Sequence, residues 1–587
     1  MLASTLPACL ADAARTAAGI TFVGRGGEED RRSYATLATE AGRVTAGLRA
    51  LGLAAGDRVA LVLPTGPDMV AAFFGVAAAG AVPVPLYPPV RLGRLDEYQD
   101  STARMLQRSG ARLVVADRRL GDLLAPALTR ARPDLGLRSV AELAALGRAG
   151  ANEASVDPDA LALVQFSSGS TVEPKPVALT HRQILANVSA VHQAILAAHP
   201  EHDGLTHRCV SWLPLYHDMG LIGCLLASVA HRADLVLLPP ELFVARPVTW
   251  LRAISRHRGT ITAAPNFAFA LCLERVTDAE LGELDLASLR VALCGAEPVV
   301  PEVLERFAER FARRGLRPEA LTPVYGLSEA ALAVTFSALT APVEAPSFDA
   351  EALAERGRAV ERPGGRRLVS LGRPLAGYQL RVVDEHAREC PDGVVGRVCV
   401  AGPSLMRGYL GDDHATARAL TGGWLDTGDT GFLRDGELFL YGRAKDLLVL
   451  RGRKYAPQLV EEAAQQVAGV RKGCVVAAST LLPGRDHGES LMVLVERVRG
   501  GREPANELAA TVRRHVLEET GLAAQVVEVL APGSLPRTSS GKLRRHEALR
   551  RWLGGTLRPP HRFLRLRLVV AVARARLSAG LRSLAAP

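Results

Sequence analysis

Between residues 161 and 182 the chain reads LALVQFSSGSTVEPKPVALTHR. A short apolar run, Leu161 to Phe166, leads into Ser167, Ser168, Gly169, Ser170 and Thr171. Lys175 then follows between Pro174 and Pro176. Hydroxyls and free loop N–H groups donate hydrogen bonds to phosphate oxygens, and one ammonium adds a compact positive charge. Such a loop could hold a polyphosphate. It is not a Walker loop, because GxxxxGK[ST] occurs nowhere in the chain. A plain Ser/Gly surface turn is the other reading of the same residues.

Lysine is scarce. Of 71 basic residues only five are lysines: Lys175, Lys445, Lys454, Lys472 and Lys542. Where arginine fills the generic basic roles, a retained lysine points to a place that needs a compact ammonium rather than a planar fork. Lys542 follows Ser539, Ser540 and Gly541, a loop tip able to reach across a gap. In LTPVYGLSEAALAV (321–334) Glu329 is the one carboxylate, an oxygen ligand suited to Mg²⁺ and substrate phosphates. Gly326 there, and Gly295 and Ala296 beside Glu297 in LRVALCGAEP, are small enough to let backbone approach an adenine ring. Tyr325 can stack on that ring. In TAAPNFAFALCL (262–273), Asn266, Phe267 and Phe269 fit both a helix core and the wall of an apolar pocket. His217, in SWLPLYHDMGLIG, lies between an aromatic residue and an acid, and by itself suits a structural role.

The elements that must position these residues read as α/β. Leu161–Phe166 is a buried strand. Thr180 and Gln183 form a capping box, and Ile184, Val188, Val191 and Ile195 give the helical stripe that follows. From Tyr34 to Asp117 helical and strand-like runs alternate, which predicts a mostly parallel sheet. GRGGEE near Gly24 follows no clear strand and is discounted as a dinucleotide fingerprint. Residues 130–157 read as a connection. Residues 338–370 lose the α/β rhythm, and a small β unit resumes at LVSLGRPLAGYQLRVVD. A compact tail domain with two helices and strands follows over 458–553.

At 587 residues two or more domains are expected. A 48% hydrophobic content excludes a disordered chain. The eight cysteines form no CxxC pair, so neither a zinc nor a disulfide framework is expected; a reducing, cytoplasmic setting suits them. The N-terminal residues have no basic region before their apolar run, and no stretch of about 18 uncharged apolar residues exists, so neither a signal peptide nor a membrane span is expected. The net charge is +10, but the arginines are spread among acids, which argues against nucleic acid. The exception is the end: beyond Gly555 there are seven arginines and no acid. Such a tail suits a peripheral membrane surface or an acidic partner equally.

Together these segments resemble the adenylate-forming (AMP-binding) superfamily, whose phosphate loop is usually written [ST]SG[ST]TGxPKG. Ser167 to Lys175 match it, with Val172 and Pro176 where glycine is usual. The resemblance covers roughly residues 1–553 and is strongest to fatty acyl-AMP ligases, through HDMGLIG, GAEP and the extra segment at 338–370. It implies an N-terminal adenylation domain over 1–441 containing several parallel-sheet subdomains, a hinge at 442–447, a small mobile α+β domain over 448–553, and an Arg-rich tail at 554–587. It assigns His217 to substrate positioning and Glu329 to the metal. Asp429 in WLDTGD goes to the ribose, Arg443 to ribose and phosphate, Lys445 to the hinge, and Lys542 to the bridge between acyl carboxylate and α-phosphate. It makes residues 262–273 an acyl wall. The implied reaction uses ATP and Mg²⁺ to activate a fatty acid, then passes the acyl group to the phosphopantetheine of a separate acyl carrier protein. A long-chain acyl-CoA ligase and a catalytically weak acyl- or nucleotide-binding protein are the alternatives.

Overall fold

The computed structural model describes residues 3–89, 95–147, 156–167, 174–201, 206–282, 284–450, 453–480, 489–538 and 541–559. Uninterrupted apolar runs such as Val59–Leu63 suit strands covered on both faces. They build a four-stranded parallel sheet in the order Val82–Pro85, Arg58–Val62, Ala111–Ala116, Leu137–Arg138. Helix Pro67–Ala78, whose residues Met69 to Ala77 are all buried, lies in its core.

A nine-stranded sheet shares that core. Its order is Arg373–Pro374, Ala333–Phe336, Leu321–Gly326, Val291–Cys294, Ile261–Ala264, Arg208–Ser211, Asp234–Leu237, Gly19–Val23, Glu29–Ser33. The six central strands are parallel, and both edges are antiparallel. Four neighbouring strands therefore send their carboxyl ends to one place. After Ser211 comes His217, after Ala264 Asn266, after Cys294 Gly295–Glu297, and after Gly326 Glu329. Loops beyond the carboxyl ends of parallel strands are where α/β folds build ligand sites.

The hydroxyl-rich stretch links Leu161–Phe166 to Pro176–Thr180, an antiparallel pair extended by Gly408–Tyr409. The capping box is present, with the Thr180 side chain on the Gln183 N–H and the Gln183 side chain on the Thr180 N–H. Pro176 opens its strand, a position that tolerates a missing N–H.

Two segments read differently in the structure. Within 130–157 a parallel strand, Leu137–Arg138, and a helix, Val140–Leu146, stand where a bare connection was expected. Both are too short to show a period, although Ser139 and Glu142 do form a capping box. GRGGEE does follow a strand, Gly19–Val23, but it turns into an antiparallel partner rather than a helix, as a hairpin does.

Residues 338–370 carry their own small core. Phe348, Leu353 and Leu368 pack with Phe432, Phe439 and Tyr441, and Phe432 stacks on Phe439 at 5.2 Å. Asp349 caps a helix over Ala350–Arg356, which ends on Gly357 in a left-handed turn. From Leu448 onward the chain builds separate cores around a three-stranded sheet. Val470–Thr480 and Ser490–Arg497 are antiparallel, and Val526–Leu530 adds a parallel strand. Helices Pro457–Gln466 and Ala505–Thr520 cover one face and Arg545–Leu553 the other. The fold is thus mixed α/β, with a large parallel-sheet N-terminal part and a smaller C-terminal domain. Among the described residues no helix is long and apolar enough to cross a membrane.

Candidate active site

The carboxyl-end loops and the small domain line one continuous cleft of about 3880 Å³, larger than a single ligand needs because it runs on through the gap between the domains. His217, Asn266, Phe267, Ala296, Glu297, Tyr325, Gly326, Glu329, Asp429, Arg443, Lys445 and Lys542 all border it, as do Ser167 and Lys175. Ser168, Gly169, Ser170, Thr171 and Val172 lie outside the described residues. The neck of that loop is pinned: the Ser167 N–H donates to the Lys175 carbonyl at 2.9 Å, and the Lys175 N–H donates to Ser167 Oγ at 3.3 Å.

The corner around Gly326, Ala296 and Asp429 is tightly built. A Cβ on Gly326 would lie 1.9 Å from the Leu332 carbonyl oxygen, so only glycine fits there. Ala296 sits at φ +67°, a conformation rare for a residue with a side chain and one that clusters at ligand sites. The Tyr325 hydroxyl donates to Asp429 Oδ2 at 2.7 Å, which fixes the ring, and Arg443 Nε meets Asp429 Oδ1 at 3.0 Å. The Asp429 charge raises the Arg443 pKa, so this guanidinium stays charged. Each Asp429 oxygen keeps a lone pair for a further donor, as a pair of ligand hydroxyls would offer.

Glu329 borders the cleft on the side of Lys175. Its Oε1 accepts the Tyr409 hydroxyl at 2.9 Å, and the Lys175 ammonium lies 4.3 Å above the Tyr409 ring. Burial lowers the Lys175 pKa, against the raising effect of Glu329. A carboxylate held by one donor beside a lysine, at the edge of an open cleft, fits a Mg²⁺ ion completed by substrate phosphates. Among the described residues no group of three ligating side chains offers a metal site made by protein alone.

Lys542 enters from the small domain. Burial lowers its pKa, and Asp218, Glu297 and Asp429 oppose that, with Arg443 adding to it. Glu297 does more than close its turn. Its Oε1 accepts the Phe267 N–H at 2.6 Å, while Asn266 Oδ1 accepts the Val300 N–H at 3.1 Å. The two side chains tie the Gly295–Glu297 turn to the apolar segment. On that segment Phe267 is partly exposed to the cleft, but Phe269 is not a wall residue. It is 1% exposed and packs edge-on against Trp250 and Phe307. Positions 267 and 269 are about 200° apart on a helix, so only one of them can face the cleft. Lys445 lies in the turn before Leu448–Leu450. The neighbouring Asp446 is paired with Arg545 at 3.2 Å and His546 at 3.3 Å, which ties that turn to the helix after Lys542.

Three polar side chains in the cleft escape a reading of the sequence: Tyr409, Asp218 and Ser328. Asp218 is buried, with His217 Nδ1 at 2.6 Å from Oδ1 and the Ser328 hydroxyl donating to Oδ2.

These features define a class: two-domain α/β proteins with one cleft lined by the carboxyl-end loops of the large part and by a lysine of the smaller domain. The chain belongs to the AMP-binding enzyme family, whose model matches residues 10–410. It is 36% identical over 564 residues to a Caulobacter vibrioides (strain NA1000 / CB15N) protein provisionally named an acyl-CoA synthetase, covering 94% of this chain and 96% of that one. It is 33% identical over 519 residues to a long-chain-fatty-acid–AMP ligase of Mycobacterium tuberculosis (strain CDC 1551 / Oshkosh), covering 85% and 86%. A solved structure from work on fatty acyl-adenylate ligases of E. coli and L. pneumophila superposes with a TM-score of 0.88 at 36% identity, over 94% of this chain and 98% of that one.

Proposed function

We propose that the protein activates a fatty acid with ATP to acyl-AMP and pyrophosphate, then hands the acyl group to the phosphopantetheine thiol of a separate carrier protein. The observation that carries this reading is that Lys542, half-buried on the small domain, lines the same cleft as the Tyr325–Asp429–Arg443 corner of the large part.

A carboxylate is a poor nucleophile towards a polyanion, so the site must offset charge and fix the approach. In this reading Tyr325 stacks on adenine, and Asp429 and Arg443 hold the ribose. Lys175 and the loop from Ser167 to Thr171 hold the β- and γ-phosphates. Glu329 would hold a Mg²⁺ ion, which supplies charge neutralisation at the phosphates. His217 orients the carboxylate, and the Lys542 ammonium lies between carboxylate and α-phosphate. The carboxylate oxygen bonds to the α-phosphorus, the bond from that phosphorus to the β-phosphate oxygen breaks, and pyrophosphate leaves. Domain bounds of 1–441, 442–447, 448–553 and 554–587 go with this reading, the 442–447 turn being the hinge.

Residues 338–370 favour a carrier-bound acceptor over coenzyme A. They fold as an ordered unit against the strand pair before the hinge, and Glu355 pairs with Arg453 of the small domain. An ordered insertion at a domain joint can exclude a bulky acceptor by steric clash. The Caulobacter relative's name keeps an acyl-CoA ligase as the second reading. The test is to offer ATP, Mg²⁺ and acids from short to long, and look for acyl-AMP by mass spectrometry. Coenzyme A and a phosphopantetheinylated carrier are then compared as acceptors. Acyl-AMP with transfer to the carrier alone is expected. No acyl-AMP from any acid leaves a binding protein, and efficient acyl-CoA formation selects the second reading.

A further inference from the structure

The segment that carries Glu329 is bent into a conformation its residues do not favour. Two positions further on, Ala331 sits at φ +63° and ψ −57°, and the Leu332 N–H donates to the Ala330 carbonyl at 2.8 Å. That is a γ-turn of the rare, strained hand. Ala331 is fully buried, so the surrounding core, not solvent, keeps it there. A glycine would take the same turn freely. With alanine in place the turn persists only if its neighbours over-determine it, and strain of this kind clusters at ligand sites.

Asn187 supplies the hold. It lies on helix His181–Ala198, beyond the hydroxyl-rich loop and strand Pro176–Thr180, and is fully buried. Its Oδ1 accepts the Ala333 N–H at 3.1 Å. Its Nδ2 donates to the Ala333 carbonyl and to the Tyr378 hydroxyl, each at 2.7 Å. The Tyr378 hydroxyl donates to Ser404 Oγ at 2.6 Å, and Ser404 donates to the Ala330 carbonyl at 2.7 Å. The turn is thus clasped on both sides of Ala331, and every polar atom of the three side chains has a partner. The Met406 N–H adds a bond to the Glu329 carbonyl at 2.7 Å. A buried helix face gains nothing from an asparagine, which is a mediocre helix former and costly to bury unpaired. What the amide does supply is this clasp.

We propose that Asn187 is a positioning residue for Glu329: its amide, with Ser404 and Tyr378, clasps the strained turn at Ala331 and so fixes where the Glu329 carboxylate stands in the cleft. Glu329 is then held twice, by its backbone through this turn and at Oε1 by Tyr409. Tyr409 lies on the strand that pairs with Pro176–Thr180, directly ahead of the Asn187 helix. The carboxylate and the neck of the hydroxyl-rich loop therefore share one frame. This rests on the adenylation reading, in which Glu329 would hold Mg²⁺.

The test is a double-mutant cycle between Asn187→Ala and Ala331→Gly in the full chain. One readout is the Mg²⁺ concentration that gives half-maximal pyrophosphate exchange with ATP and a fatty acid. The other needs no turnover: the affinity for Mn²⁺ beside a non-hydrolysable ATP analogue, by electron paramagnetic resonance. Asn187→Ala should weaken both about 10–100-fold, the usual effect of losing a residue that orients a metal ligand. Saturating Mg²⁺ should recover most of the exchange rate. In an Ala331→Gly background the same change should cost no more than about threefold, because glycine keeps the turn without being held. An Asn187→Ala protein within about threefold of wild type in both readouts overturns the proposal. So does an equal loss in the two backgrounds, or a loss that saturating Mg²⁺ leaves untouched, which is what a merely structural role gives. If Asn187→Ala does not fold, Ser404→Ala decides. It withdraws only the donor on the Ala330 carbonyl and should cost at least about threefold in Mn²⁺ affinity; a wild-type affinity overturns the proposal. Wild type is run first. If it shows no exchange, the adenylation reading has failed. If it exchanges and the variants do not behave as stated, only the role of Asn187 has.

Discussion

Ser328 and Glu329 are chain neighbours that serve opposite halves of the cleft. Glu329 belongs to the half that the proposed reaction gives to the phosphates, with Tyr409 and Lys175, and all three stand on the large N-terminal part. Ser328 belongs to the half that the proposed reaction gives to the acyl carboxylate, with Asp218 and His217, and a lysine from the small domain lines the same cleft. One half is built in advance and the other is assembled. In the proposed reaction the large part alone would hold the phosphates, whereas the chemical step would also need the lysine of the small domain.

The sharpest way to break the comparison is to remove the assembled cation. Lys542→Ala should lower adenylation by about 10²–10³-fold while ATP affinity, measured by calorimetry, changes little. Lys542→Arg should not recover the rate, because a planar fork does not fit a seat shaped for a point charge. A near-normal arginine variant would show that the two halves do not differ in this way. The pH profile sharpens the same point. Burial lowers the Lys542 pKa, and activity needs the charged form, so kcat should fall as pH rises through a value below that of an ordinary lysine. Asp218 opposes that lowering, so Asp218→Asn should move the alkaline limb to still lower pH. An unmoved limb would mean that the two groups do not sense each other.

The prebuilt half should answer differently. Tyr409→Phe keeps the ring beneath Lys175 and removes one donor from Glu329. A loss of about tenfold is expected, offset in part by raising the Mg²⁺ concentration, as for a weakened charge-assisted hydrogen bond. An equal loss at every Mg²⁺ concentration would place Tyr409 outside the phosphate half.

Much of this arrangement is legible in the sequence, and the reason differs by residue. Lys175 and Lys542 stand out because arginine has replaced lysine almost everywhere else. Glu329 stands out as a single acid in an apolar segment. The strand and helix pattern of the large part follows from long apolar runs at clear spacing. Asp218 and Tyr409 do not stand out, because what gives them meaning is distant in the chain: Ser328 lies 110 residues from Asp218, and Glu329 lies 80 from Tyr409. One signal was available for Asp218, an acid directly ahead of the apolar run MGLIGCLL. Phe269 was misread because an aromatic residue on a buried helix looks the same whether it faces a core or a pocket. Residues 338–370 look like a polar loop because their core borrows Phe432, Phe439 and Tyr441 from another stretch of chain.

Two smaller effects probe how the small domain is held. Replacing residues 350–366 with a short Gly/Ser bridge between Phe348 and Leu368 removes Leu353 from that core and Glu355 from Arg453. It should leave adenylation within a few-fold of wild type and raise coenzyme A acceptance. Unchanged acceptor choice would assign the choice elsewhere. At the other edge Arg551, braced by Glu547 at 2.6 Å, meets Glu97 with contacts of 2.9 and 3.2 Å across the domains. Glu97 is half exposed, and such pairs contribute about 0–1 kcal/mol. Glu97→Gln should therefore cost at most about fivefold in adenylation, and the difference from wild type should vanish at high salt. A loss that persists at high salt would give Glu97 a role other than pairing.

In the proposed reaction a carboxylate and ATP meet in this cleft and leave as acyl-AMP and pyrophosphate. Mass spectrometry of a single turnover, with enzyme in excess over ATP and a fatty acid present, tests it directly. Acyl-AMP and pyrophosphate in equal amounts from wild type, and only a trace from Lys542→Ala over the same interval, is the result expected. ATP left intact by wild type with every acid from short to long chain would contradict it.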